Sequence, residues 1–134
     1  MSARGFHLIE VLAVLSLVAI LLSLAIPNYQ RYVVTTKRTE AKIMLLRYAS
    51  SLERYFFLHH TYEGATADDL HLPNHTTDQR YRIVMQGLSD RHYLIKAIAQ
   101  GVQAKRDQDC ATLTLNQAGE RGVMGKQDAS ICWG

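Results

Sequence analysis

The chain has 134 residues, enough for one domain of ordinary size, and its net charge of +3 is too small to point by itself to an acidic partner. The two cysteines, Cys110 and Cys132, match no CxxC spacing, which sets aside a redox dithiol and a zinc knuckle. No nucleophile elbow, phosphate loop or zinc-protease motif occurs, so the residues give no support to an enzyme.

In chain order the first element is Arg4-Gly5-Phe6-His7-Leu8-Ile9-Glu10 followed by the apolar run Val11 to Ile26, broken only by Ser16 and Ser23. Phe6 to Ile26 supplies the ~20 residues that a bilayer-spanning helix needs. Glu10 is out of place in it, because an unpaired carboxylate at bilayer depth costs roughly 2.5–3.5 kcal/mol. No Lys or Arg lies one helical turn away, so its partner is expected outside this chain. A secretory signal peptide fits poorly: the basic region is Arg4 alone, no small-x-small site follows, and Pro27-Asn28-Tyr29 leads into more helical sequence. Arg31, Lys37 and Arg38 follow the span while only Arg4 precedes it, which runs against the positive-inside rule.

The residues Gly5-Phe6-x-Leu8-Ile9-Glu10-Val11, with Pro27 at the far end, resemble the N-terminus of bacterial type IV prepilins. His7 stands where a Thr is most familiar, and Ala19 where many pilins carry a Gly. The resemblance implies cleavage after Gly5 by a prepilin peptidase and N-methylation of the new N-terminal Phe6. It further implies that Glu10 pairs in the filament with the Phe6 amine of a neighbour, a cation at neutral pH, and so sets the register. Within one chain, Phe6 and Glu10 are i and i+4 on one helix face, a spacing that permits this role without requiring it.

Beyond the span, Asn28 to His60 holds no Gly or Pro and keeps helical periodicity, so one helix is expected from about Phe6 to His60. Ala41, Leu45, Tyr48, Leu52 and Phe56 form its apolar face, and Lys42, Arg47, Ser50 and Glu53 or Arg54 fall away from it. Thr61 to Gln79 loses periodicity, with turns at Gly64 and Pro73 and a helical turn capped near Thr66. From Arg80 the period becomes two, and three strands are expected: Arg80 to Met85, His92 to Ala99, and Ala111 to Asn116. Gly87 to Arg91 reads as a hairpin connection, Gln117 to Gly122 as a turn, and the remainder to Gly134 as an irregular tail. One face of such a sheet must be covered, and the amphipathic half of the helix is the available cover.

This order, together with Tyr93-Leu94-Ile95-Lys96-Ala97, Asp109 to Gly119 and Cys132-Trp133, also resembles the small and minor pilins of the PilE and ComP kind. The implied fold class is α+β, the type IV pilin fold: a long N-terminal helix on a small antiparallel sheet, with a C-terminal region closed by a Cys110–Cys132 disulfide. The implied organisation is a leader over residues 1–5, a membrane and filament-core half-helix over 6–27, and a periplasmic, later extracellular, domain over 28–134. The implied partners are the prepilin peptidase, the inner-membrane assembly platform, the inner membrane before assembly, and other pilin subunits in the filament afterwards. The resulting reading is a structural pilus subunit serving adhesion, twitching motility or DNA uptake. A filament-forming and a minor subunit share all these features.

Two alternatives stay open. One is a DNA-binding uptake receptor, because Lys105, Arg106, Arg121 and Lys126 would form a basic stripe able to contact phosphates if the C-terminal loop folds back. Against it, Asp107, Asp109, Glu120 and Asp128 are close in sequence and could neutralise that face. The other is a type II secretion pseudopilin, whose major members often carry calcium. Asp107-x-Asp109 lacks the Gly and Glu offsets of a calcium loop, and the cysteine pair favours a pilin. His59 and His60 point about 100° apart on a helix, and His71 and His75 lack ligand-spaced partners, so neither a metal nor another cofactor is expected. Asn74-His75-Thr76 matches a glycosylation triplet of the kind common by chance.

Overall fold

The computed structural model describes residues 5–134, so Arg4 and the rest of the expected leader before Gly5 lie outside the described residues. Helix α1 runs Leu8–His59, and Pro27 does not interrupt it. One proline removes a single N–H from the ladder, and no Gly or second Pro stands near to add to the loss. The chain divides into two compact units, Met1–Val33 and Val34–Gly134.

In the first unit the apolar side chains are exposed all round the helix, and the segment is long and apolar enough to cross a membrane. The two hydroxyls of the run Val11 to Ile26 are satisfied locally: Ser16 donates to the Leu12 carbonyl at 2.8 Å and Ser23 to that of Ile20 at 2.6 Å. That is what a lipid environment requires of polar groups in a spanning helix. Glu10 lies in the first turn of α1, where the helix dipole favours a negative charge.

In the second unit Ala41, Leu45, Tyr48 and Leu52 are buried, in line with the 3.6-residue period, and Phe56 packs at the edge. Lys42, expected on the solvated face, is instead half-buried and donates to the Trp133 carbonyl at 2.8 Å. Burial, with Arg38 and Arg121 nearby, lowers its pKa. The helix stops at His60, which takes the left-handed conformation (φ 58°) and returns its N–H to the Phe56 carbonyl at 2.7 Å. Near the expected cap, Thr66 and Asp69 bond reciprocally: Asp69 N–H donates to Thr66 Oγ1, and Thr66 N–H donates to Asp69 Oδ2.

The sheet has four antiparallel strands rather than three, in the order β1 (Tyr81–Gln86), β2 (Leu94–Ala99), β3 (Thr112–Asn116), β4 (Arg121–Met124). The alternation reads correctly on the first three: Tyr81, Ile83, Ile95, Ala97, Leu113 and Leu115 are buried. The tail is not irregular. β4 pairs with β3, and a short helix, Ala129–Trp133, carries Cys132 to its disulfide with Cys110. A second short helix, Gly101–Arg106, follows β2 where no element was expected. In chain order these are α3 and α2.

Candidate nucleic-acid interface

α2 is held by its inner edge. Gln103 and Asp107, four residues apart, are buried, while Val102, Lys105 and Arg106 are exposed on the opposite side. Gln103 Nε2 lies 3.1 Å from the Val34 carbonyl of α1 and 3.0 Å from the Tyr81 hydroxyl of β1. Asp107 receives a two-pronged ion pair from Arg38 of α1, Nε to Oδ2 at 3.0 Å and Nη2 to Oδ1, and accepts the Tyr81 hydroxyl at 3.2 Å. Arg38 is only 15% exposed and Asp107 3%, so the pair is largely desolvated. Losing one partner of such a pair typically costs about 3–5 kcal/mol. The hydrogen bond from Arg38 to Asp107 raises the arginine pKa, and burial raises that of Tyr81.

The connection after β4 packs against the residues that follow α2. Gln127 N–H donates to the Asp109 carbonyl at 3.1 Å, and a Cβ on Gly125 would overlap that same carbonyl oxygen. Lys126, exposed between them, is thereby brought beside Asp109, which follows the corner that carries Lys105 and Arg106. Arg121 is not at this corner. It stands opposite Leu115, at the far end of β4, with its guanidinium 5.3 Å from the centre of the Trp133 ring. Trp133 in turn donates to the Gly122 carbonyl at 2.9 Å.

Two further cations belong to the same description and were missed in the sequence. On the sheet face opposite the core, Lys96 lies between Val84 and Thr114, and Arg82 opposes Ile98 two pairs along. The four strands contain no Asp or Glu. The signal was the alternation itself, which puts Arg82 out when Tyr81 and Ile83 point in.

The acidic residues that could have neutralised these cations are partly committed elsewhere. Asp107 is taken by Arg38, and Glu120 accepts from Asn116 Nδ2 at 2.6 Å. Lys37 and Arg80 engage an exposed carboxylate, sharing Asp78 at 2.9 and 3.7 Å. Among the described residues no ion pair involves Arg82, Lys96, Lys105, Arg106 or Lys126. Nor, among them, does any cluster of three His, Cys, Asp or Glu form a potential metal site.

A crystal structure of the Neisseria meningitidis non-core minor pilin PilV is similar to this chain, with a TM-score of 0.58 at 19% identity. The match covers 73% of this chain and 94% of that one; at such low identity it shows the fold. A search of curated proteins gives no significant match. Residues 27–114 match the family described as type IV minor pilin ComP, DNA uptake sequence receptor. The match spans Arg82, Lys96, Lys105 and Arg106 and stops before Arg121, Lys126 and Cys132. With the pilin fold in place and the family matched over most of its length, the chain belongs to this family of type IV minor pilins, non-enzymatic subunits with an apolar N-terminal helix.

Proposed function

We infer that this minor pilin is a DNA receptor of the uptake machinery, and that it contacts phosphates with the outer sheet face and the basic corner of α2. The observation that carries the reading is the distribution of charge. Arg82, Lys96, Lys105, Arg106 and Lys126 have no ion-pair partner among the described residues, and the sheet that carries Arg82 and Lys96 has no carboxylate in its strands. Cations held in no ion pair release counterions when they meet a polyanion, and that release is the main source of non-specific DNA affinity. The family description supports the same reading over a purely structural subunit. Arg121, turned onto Trp133, contributes less.

The test is titration of the full chain in detergent micelles with a labelled DNA duplex at several salt concentrations. Log affinity should fall linearly with log salt, and Arg82→Gln or Lys96→Gln should each reduce the slope by about one. Binding that is absent, or insensitive to both substitutions and to salt, overturns the reading.

The same proposal covers how the subunit reaches the pilus. Cleavage after Gly5 leaves Phe6 as the methylated N-terminus, residues 6–27 hold the chain in the inner membrane and then in the filament core, and residues 28–134 face the periplasm and later the exterior. Gly5 is open, with nothing within 4 Å of a Cβ placed on it, which suits access by a peptidase.

A further inference from the structure

We propose that Arg38 and Asp107 are positioning residues for DNA contact, an inference that rests on the receptor reading above. Their buried pair fixes which side of α2 faces out, and it withdraws the carboxylate nearest in sequence to Lys105 and Arg106.

α2 is six residues long, too short to hold its conformation by its own hydrogen bonds. Its orientation therefore comes from what its inner edge meets. Besides Ala104, which packs against the core, the pins are polar and come from two other elements: Arg38 of α1 on Asp107, and the Tyr81 hydroxyl of β1 between Asp107 and Gln103. Lys105 and Arg106 precede the pinned carboxylate by two residues and one, so little slack separates the pin from the cations. Arg38 is suited to the task because its planar fork meets both carboxylate oxygens, fixing direction as well as distance. Freed from Arg38, Asp107 would be a bare carboxylate directly beside Arg106, able to pair with the groups that are otherwise available to phosphate.

The inference has a signature that simple electrostatics reverses. Asp107→Asn removes a negative charge, and on charge alone it should tighten DNA binding. Loss of positioning should weaken it, by roughly five- to tenfold at fixed salt, with the salt slope reduced by between one and two as the Lys105 and Arg106 contacts go. Arg38→Lys keeps the net charge and loses the fork, so charge alone predicts no change, whereas loss of positioning predicts a weakening in the same direction. This second variant decides the matter if Asp107→Asn does not fold. Asp109→Asn, which removes an exposed carboxylate of the same corner, should bind DNA more tightly.

The experiment is the salt titration of these variants, in the wild-type background and in Lys105→Gln/Arg106→Gln, using the full chain in detergent micelles and a labelled duplex. In the double-variant background Asp107→Asn should no longer weaken binding, since there is nothing left to position. A merely destabilised protein would show fewer active molecules with an unchanged slope. If the double variant loses affinity while Asp107→Asn and Arg38→Lys keep the wild-type affinity and slope, the receptor reading stands and the positioning inference is overturned. If the wild-type chain binds no DNA, or the double variant binds as well as wild type, the α2 corner is not a contact, and the inference falls together with that part of the receptor reading.

Discussion

At Gly125 the requirement is for the absence of a side chain. A Cβ there would overlap the Asp109 carbonyl oxygen, a backbone atom held from one side by Gln127 N–H and from the other by the disulfide at Cys110. Gly122 is crowded too, but by the Thr114 hydroxyl, the end of a side chain that can rotate away on the exposed sheet face. Gly125→Ala should therefore lower stability by about 1–3 kcal/mol, the usual cost of overpacking a fixed site, and Gly122→Ala by clearly less. Denaturant unfolding of the two variants measures both; equal losses would mean that the Asp109 backbone yields as readily as a hydroxyl. Two of the cations that follow the span, against the positive-inside expectation, serve the folded domain. Lys37 and Arg38 are committed to Glu40, Asp78 and Asp107 within the folded domain.

At the scale of elements, α3 depends on what holds it from outside. It has five residues and no side-chain cap, and it is tied down by the Cys110–Cys132 bridge, by Trp133 Nε1 on the Gly122 carbonyl and by Lys42 on the Trp133 carbonyl. Cys132→Ser should cost on the order of 3 kcal/mol. It should also expose Trp133, the one tryptophan, to solvent quenchers of its fluorescence while the far-ultraviolet signal of α1 and the sheet persists. A tryptophan as protected as in the wild type would show that packing alone suffices. This dependence is also why α3 was not legible in the sequence. The long helix, its buried stripe and three strands are written in periodicities of 3.6 and 2 that survive without tertiary help. β4 is four residues with a glycine and a single β-branched side chain, and only its pairing with β3 makes it a strand. α2 and α3 fall below the length at which a helix declares itself. The candidate interface was legible in part for the same reason. Lys105, Arg106 and Lys126 stand out along the chain. Arg82 and Lys96 share a face through strand register, and Arg38 meets Asp107 across 69 positions.

At the scale of the whole molecule, the chain has to be stable in two surroundings, and Glu10 is where their demands conflict. Nearly every side chain from Phe6 to Ile26 is apolar and exposed, and on the proposed route to the pilus this segment is covered by lipid before assembly and by neighbouring helices afterwards. In lipid the Glu10 carboxylate is a cost, eased by its place in the first turn of α1. In the filament, on the reading that Glu10 meets the Phe6 amine of a neighbour, the same carboxylate balances a cation that would otherwise be buried alone. Glu10→Ala should therefore leave membrane insertion unharmed or improved, and should reduce incorporation into pili. Glu10→Gln keeps the shape and loses the charge, and it should behave alike. Quantifying the subunit by immunoblot in inner membranes and in sheared pili gives the two pools separately. The expected result is membrane levels at or above wild type, with the pilus fraction lowered in both variants. Normal incorporation of both would show that this carboxylate does not set the register. A loss from both pools would instead make Glu10 a requirement for insertion, opposite in sign to what its burial in lipid predicts.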